Sequence, residues 1–122
     1  MLENGTGAPG ESATTVSWRD AGTLRQNASG TSYGSALSAN DVVMVAYDSA
    51  LGIVWFGKNG TWFASGNPAT NANPSATGIT TTGRFATYHY NTTAVIQANF
   101  GQRSFAYTPP TGYNRLCTYN LP

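Results

Sequence analysis

The sequence predicts an all-β fold, a twisted antiparallel β-sandwich with its loops gathered at the ends, and three observations carry that prediction. Nowhere does an apolar period of 3.6 residues hold for ten residues. Two short β-branched and aromatic runs, DVVMVAYD and IVWFGK, are bounded on both sides by turn formers. Polarity comes from Thr, Ser, Asn and Gly rather than from charge, since only 9% of the 122 residues are charged, against about 25% in an average soluble domain.

Residues 1–15, MLENGTGAPGESATT, hold no periodic apolar pattern and read as a flexible arm or linker. Residues 16–122 are then a single domain. Between 16 and 38, single apolar residues (Val16, Trp18, Leu24, Tyr33) stand among turn formers, which suits short strands joined by turns. Residues 41–48 are too short for a buried helix and are expected to be a buried strand. After a connection over 49–52, IVWFGK forms a second strand, closed by Asn59-Gly60, a dipeptide that tolerates positive φ and so suits a type I′ hairpin turn. Thr61, Trp62 and Phe63 begin the return strand, completing an antiparallel meander. Residues 64–83 are dense in Ser, Gly, Asn, Pro and Thr, with only Ile79 able to anchor them, and read as a long surface loop of the kind that carries function. A second hairpin is expected from 84–90 and 94–100 across Asn91, Thr92 and Thr93. The double proline Pro109-Pro110 breaks any strand in the tail, leaving Phe105, Tyr107, Tyr113 and Tyr119 to lie on the sheet.

Composition removes several function classes. A net charge of +1 provides no basic surface to neutralise phosphates, so nucleic acid is not an expected partner. One cysteine, Cys117, cannot form an internal disulfide and reads as a small apolar residue near the terminus. No run reaches the ~18 apolar residues of a membrane span, and no basic-then-apolar segment marks a signal peptide. Delivery outside a cell would instead proceed by assembly into a larger particle.

Catalytic constellations find no support. Gly5-Thr6-Gly7-Ala8-Pro9-Gly10 has dinucleotide-fingerprint spacing without the strand and helix that mechanism needs. Gly52 to Lys58 satisfies G-x-x-x-x-G-K, but its interior belongs in a strand and Asn59 replaces the magnesium-binding hydroxyl. His89, the one histidine, alternates with Tyr88 and Tyr90 as a packing residue would. The carboxylates Glu3, Glu11, Asp20, Asp41 and Asp48 are too dispersed to pair. No cofactor or metal is expected. The Asn-x-Ser/Thr tripeptides at Asn4, Asn27, Asn59 and Asn91 are of a frequency that chance produces in a chain this rich in Asn and Thr.

Aromatic and polar side chains on loops point to recognition instead. Trp55, mid-strand, belongs to the core, whereas Trp62 lies just past a hairpin turn, where it could stack on a ligand. With it as candidate ligand-binding residues stand Asn67, Asn71 and Asn73 in the long loop, and Arg25 and Arg84 as rim contacts.

The run DVVMVAYDSALGIVWFGKNGTW resembles the signature of SPRY (B30.2-like) domains, in which a strand ending in Asp, a short turn and a strand closing in Lys-Asn-Gly follow one another. The tail, NFGQRSFAYTPPTGY followed by LCTYNLP, is similar to the ending of phage and bacterial SPRY modules. The resemblance covers roughly residues 17–122, the C-terminal part of the module, with Asn40 where the family has Gly. It implies a concanavalin-type jelly roll lacking its first strands. The chain is then a C-terminal piece of a longer protein or a shortened variant. An apolar face of Val43, Val45, Val54 and Phe56 would be left for another polypeptide or a second copy to cover.

The function implied is binding, not catalysis: a virion surface protein, tail fibre or adhesin, recognising a host surface protein or glycan through the loop at 67–82. Its partners would be other virion proteins or copies of itself, in a homo-oligomer. Two alternatives stand beside it. One is a capsid decoration or cement protein whose arm, 1–15, reaches a neighbouring subunit; the other is an intracellular SPRY adaptor that binds a short peptide.

Overall fold

Turn chemistry lays out the strands of this protein, whose structure is a computed structural model describing residues 2–3, 9–80, 82, 84–87, 93 and 95–116. Eight short strands follow in order: β1 (Leu2–Glu3), β2 (Val16–Arg19), β3 (Thr23–Gln26), β4 (Ser29–Ser32), β5 (Val43–Asp48), β6 (Ile53–Lys58), β7 (Thr61–Trp62) and β8 (Arg84–Phe85). The chain is all-β; among the described residues the only helical pieces are 3₁₀ turns at Phe63–Ser65 and Pro68–Thr70. Asn59 (φ 51°) and Gly60 (φ 87°) form the β6–β7 turn in the expected left-handed pair. Asn27 and Ala28 (φ 53° and 58°) do the same between β3 and β4.

Two antiparallel sheets result, one ordered β4-β3-β2-β1-β8 and the other β5-β6-β7. The meander expected from 41 to 63 is the second sheet, and β6 matches IVWFGK residue for residue. Alternation along β6 sends Val54 and Phe56 to one side, where they join Val16 of β2, Leu24 of β3, Ala76 and Ile79 in one hydrophobic cluster. Trp18, Tyr33, Tyr47, Phe63 and Phe85 pack around it. Trp55 points the other way and is also fully buried, with Tyr113 set edge-on at 6.1 Å.

Three expectations change. Residues 41–48 do not form a buried strand: among the described residues β5 has a neighbour on one side alone, and Ala46 is buried while Val43 and Val45 stay 41% and 38% exposed. The apolar face of Val43, Val45, Val54 and Phe56 is accordingly split, its β6 half covered by the other sheet and its β5 half open. Residues 1–15 take part in the fold where described, rather than extending away as an arm. Leu2 lies opposite Val16 and Phe85, and Glu3 opposite Arg84. Residues 10–15 close on themselves through the buried Thr15, whose hydroxyl accepts from Gly10 N at 3.1 Å, and they accept from Asn27 N and Ala28 N in the β3–β4 turn. Ser and Thr hydroxyls supply the turn bonds here, and they need no apolar period to do so. Residues 95–99, expected in a strand, have no regular structure; Val95 is 86% and Ile96 51% exposed, so neither has a packed face to set an alternation. The remainder of that hairpin, Tyr88 to Thr92 and Ala94, lies outside the described residues, as do Cys117 and Tyr119.

Asp41 ties β5 to the β6–β7 turn. Its carboxylate accepts from Ser38 N (2.8 Å) and Asn59 Nδ2 (2.6 Å) and pairs with Lys58 Nζ at 3.2 Å. Asn59 Oδ1 in turn accepts from Val42 N, and Lys58 Nζ donates to Ala36 O. The Ser38 amide first, then Asn59 and Lys58, hold the carboxyl below the usual carboxylate range. A folded-state pKa below the unfolded one contributes stability above about pH 4 that disappears as pH falls through the lowered value. Urea midpoints taken through the acid range should therefore fall less steeply for Asp41→Asn than for the parent chain. Trp55→Ala, which empties a buried aromatic site and strips a hydrogen bond from the loop above it, should cost roughly 3–5 kcal/mol in urea unfolding followed by far-UV circular dichroism.

Candidate functional site

The segment that follows β7 is built on the free edge of β6. β7 pairs with β6 at Gly57 and Lys58 alone, which leaves Val54 and Phe56 with backbone groups to satisfy inside the core. Val54 N donates to Ala76 O (3.1 Å), Ser75 N donates to Val54 O (2.8 Å), and Phe56 N donates to Ser75 Oγ (2.9 Å). Tyr33 Oη donates to the same Ser75 hydroxyl at 2.8 Å. Gln26 Nε2 reaches Thr77 O, and Ile79 N donates to Gly52 O. Pro68, Ala76 and Ile79 are buried, so the stretch read as a surface loop is seated in the fold through more residues than Ile79. That seating depends on single hydroxyl and backbone contacts, which a Ser- and Asn-rich composition does not single out.

Above this base the chain forms a narrow ridge. Asn67 and Ala72 exchange both backbone hydrogen bonds (2.9 and 3.0 Å), closing the 3₁₀ turn at Pro68–Thr70. Trp55 Nε1 donates to Ala72 O from below at 2.9 Å. Asn71 and Asn73 take left-handed backbone, φ 56° and 47°, which Asn tolerates better than most residues. Asn73 Nδ2 donates to Ser65 O at 3.2 Å. Ala64 and Ser65 are also left-handed (φ 52° and 56°), a pair of non-glycine residues in a conformation that costs roughly 1–2 kcal/mol each. Asn67, Ala69, Thr70, Asn71 and Asn73 are exposed, and the side-chain amides of Asn67 and Asn71 have no hydrogen-bond partner among the described residues. The ridge thus offers solvent-facing amide donors and acceptors on a backbone held from beneath.

Three of the six candidate residues come together here. Asn67, Asn71 and Asn73 form the ridge, and Trp62 precedes the 3₁₀ turn that leads into it. Trp62 is half-buried because its ring lies on Gly57, where a Cβ would stand 3.0 Å from Trp62 Cε3, so part of the indole covers its own sheet. Arg25 belongs elsewhere: its guanidinium pairs with Glu11 at 2.9 Å, and it is the next residue, Gln26, that touches the loop. Arg84 sits in β8 opposite Glu3. Trp18 is a fold residue, donating to Tyr33 O at 2.8 Å and tilted on Phe63 at 5.2 Å. Beneath the ridge, burial first and the charge of Asp48 second raise the pKa of Tyr113, which keeps its phenol protonated.

The residue missed by sequence reasoning is Ser75, one serine among many, whose hydroxyl accepts from both Phe56 and Tyr33. Among the described residues no group of three His, Cys, Asp or Glu is placed to hold a metal ion, and His89 lies outside them. No helix of the described residues is long and apolar enough to cross a membrane. Ser75→Ala leaves one amide and one phenol unsatisfied in a part-buried place and should destabilise the chain by about 1–3 kcal/mol, read from urea unfolding. No protein-family model, no curated protein and no solved structure matches the chain.

Proposed function

We propose that the chain is a non-enzymatic binding module of a virion surface protein, recognising a host surface protein or glycan through the ridge at residues 67–73. The observation that carries this reading is the ridge itself: free Asn67 and Asn71 amides on a backbone already fixed by Trp55, Asn73 and the Asn67–Ala72 bond pair. A recognition loop whose backbone is ordered before it meets its ligand loses less conformational entropy on binding. Amide side chains suit ligands rich in hydroxyl or amide groups, such as glycans and polar peptide segments. The likeness of residues 41–62 to the SPRY signature supports a binding module, and that of the tail, 99–122, to phage and bacterial SPRY modules supports the virion setting, as does the low charge of a β framework rich in Thr, Ser, Asn and Gly.

Deleting the loop would remove the partner of β6 and so would test folding rather than binding. Asn71→Gly keeps the left-handed backbone and removes the amide, and Asn67→Ala leaves an extended backbone unchanged. The labelled chain, applied to an array of bacterial envelope glycans and to whole bacterial cells, should be retained by at least one surface. The double variant should lose about tenfold in affinity, ~1.4 kcal/mol, with an unchanged melting temperature. No retention by any surface, or retention indifferent to the double variant, would overturn the assignment.

A further inference from the structure

We infer that the free edge of β5 pairs with β5 of a second copy of this chain, antiparallel, about a two-fold axis at Val45. The alternation of the ladder identifies which groups are free. Val54 N and Phe56 N point toward Ser75 and Ala76, away from β5. Residues 53, 55 and 57 therefore face β5, and their partners Asp48, Ala46 and Met44 use their backbone groups on β6. Val43, Val45 and Tyr47 direct their N–H and C=O outward, and none of these groups is bonded among the described residues.

Apart from the charge of Asp48 at its far end, this edge carries none of the devices that keep sheet edges apart. β5 has no Lys, no Pro and no bulge, and Val42, Val43 and Val45 expose apolar side chains along it. The two flanking carboxylates do not guard it either, since both are engaged within the chain. Asp41 is held by Ser38, Asn59 and Lys58, and Asp48 Oδ1 accepts from Ala50 N and Leu51 N. The edge of the other sheet, β4, is by contrast the polar and wholly exposed Ser29–Ser32.

A second copy fits this edge because the free groups are symmetric about Val45. Antiparallel self-pairing places Val45 opposite Val45 of the second copy and Val43 opposite its Tyr47, so every outward N–H meets an outward C=O. Val43, Val45 and Tyr47 of both copies then share one face, where β-branched and aromatic pairs stabilise a sheet. Asp48 falls opposite Val42 of the second copy, so no like charges meet. The three-stranded sheet becomes one continuous sheet running through both molecules.

Sedimentation equilibrium of the chain, from micromolar to submillimolar concentration, should give a dimer. Val45→Lys should give a monomer with an unchanged circular dichroism spectrum, because it alters an exposed side chain and places two like charges at the axis. In a Cys117→Ser background, Val45→Cys should oxidise to a cross-linked dimer, since hydrogen-bonded antiparallel partners have Cα atoms about 5.5 Å apart, within disulfide range. Val43→Cys should not cross-link, its two copies being separated by about 13 Å along the strands. A monomer at every concentration overturns the inference. So does a dimer that survives Val45→Lys or cross-links equally through Val43→Cys.

Discussion

β6 must be hydrogen-bonded on both edges, and most of the molecule is arranged around that requirement. Val54, Trp55 and Phe56 are fully buried in succession, so neither water nor a frayed strand can satisfy the backbone between them. β5 serves one edge along its whole length, but β7 reaches only two residues along the other. Something else has to meet Val54 and Phe56, and residues 75 and 76 do so with one serine hydroxyl and a short bridge. A part of the chain with almost no apolar content therefore lies against the core and is as necessary to it as a strand.

The same segment joins the two sheets. Tyr33 reaches Ser75, Gln26 reaches Thr77, and Thr80 N donates to Thr14 O, while Tyr47 donates its hydroxyl to Thr80 O from the opposite sheet. Contacts from 14, 26, 33 and 47 thus converge on six residues. Cluster residues Ala76 and Ile79 sit between these hydrogen bonds, so burial and polar satisfaction reinforce each other in one short stretch. The ridge at 67–73 stands directly on this base. Its rigidity follows from what the core needs.

The parts legible in the sequence were those in which one residue type answers one local demand. Asn59-Gly60 could be read as a type I′ turn because both positions need positive φ, and β6 because a six-residue β-branched and aromatic run has no other stable use. Asn71 and Asn73 take the left-handed backbone that Asn tolerates better than most residues, whereas Asn67 is extended and its residue type records nothing of its place. The burial of β5 was not legible: an apolar run on both faces reads the same whether the strand is central or at an edge, and only the sheet order separates the two. Arg25 misled because a lone Arg at a strand end carries no record of Glu11, fourteen positions away. Ser75 was invisible because its importance lies in what it faces.

Backbone strain is concentrated at the entry to the ridge. Left-handed residues elsewhere in the described chain are Gly or Asn, apart from Ala28, whose hairpin turn demands the conformation. Ala64 and Ser65 have no such demand, since β7 has already ended and no strand partner waits for the chain to return. The path taken sets Ser65 O where Asn73 Nδ2 can bond it and leaves Asn67, Ala69, Thr70 and Asn71 exposed around the buried Pro68. Strain of this kind persists where the surrounding structure enforces it, and here the Asn73 amide on Ser65 O and the Trp55 indole on Ala72 O do so, which ties the ridge's conformation to the buried strand β6.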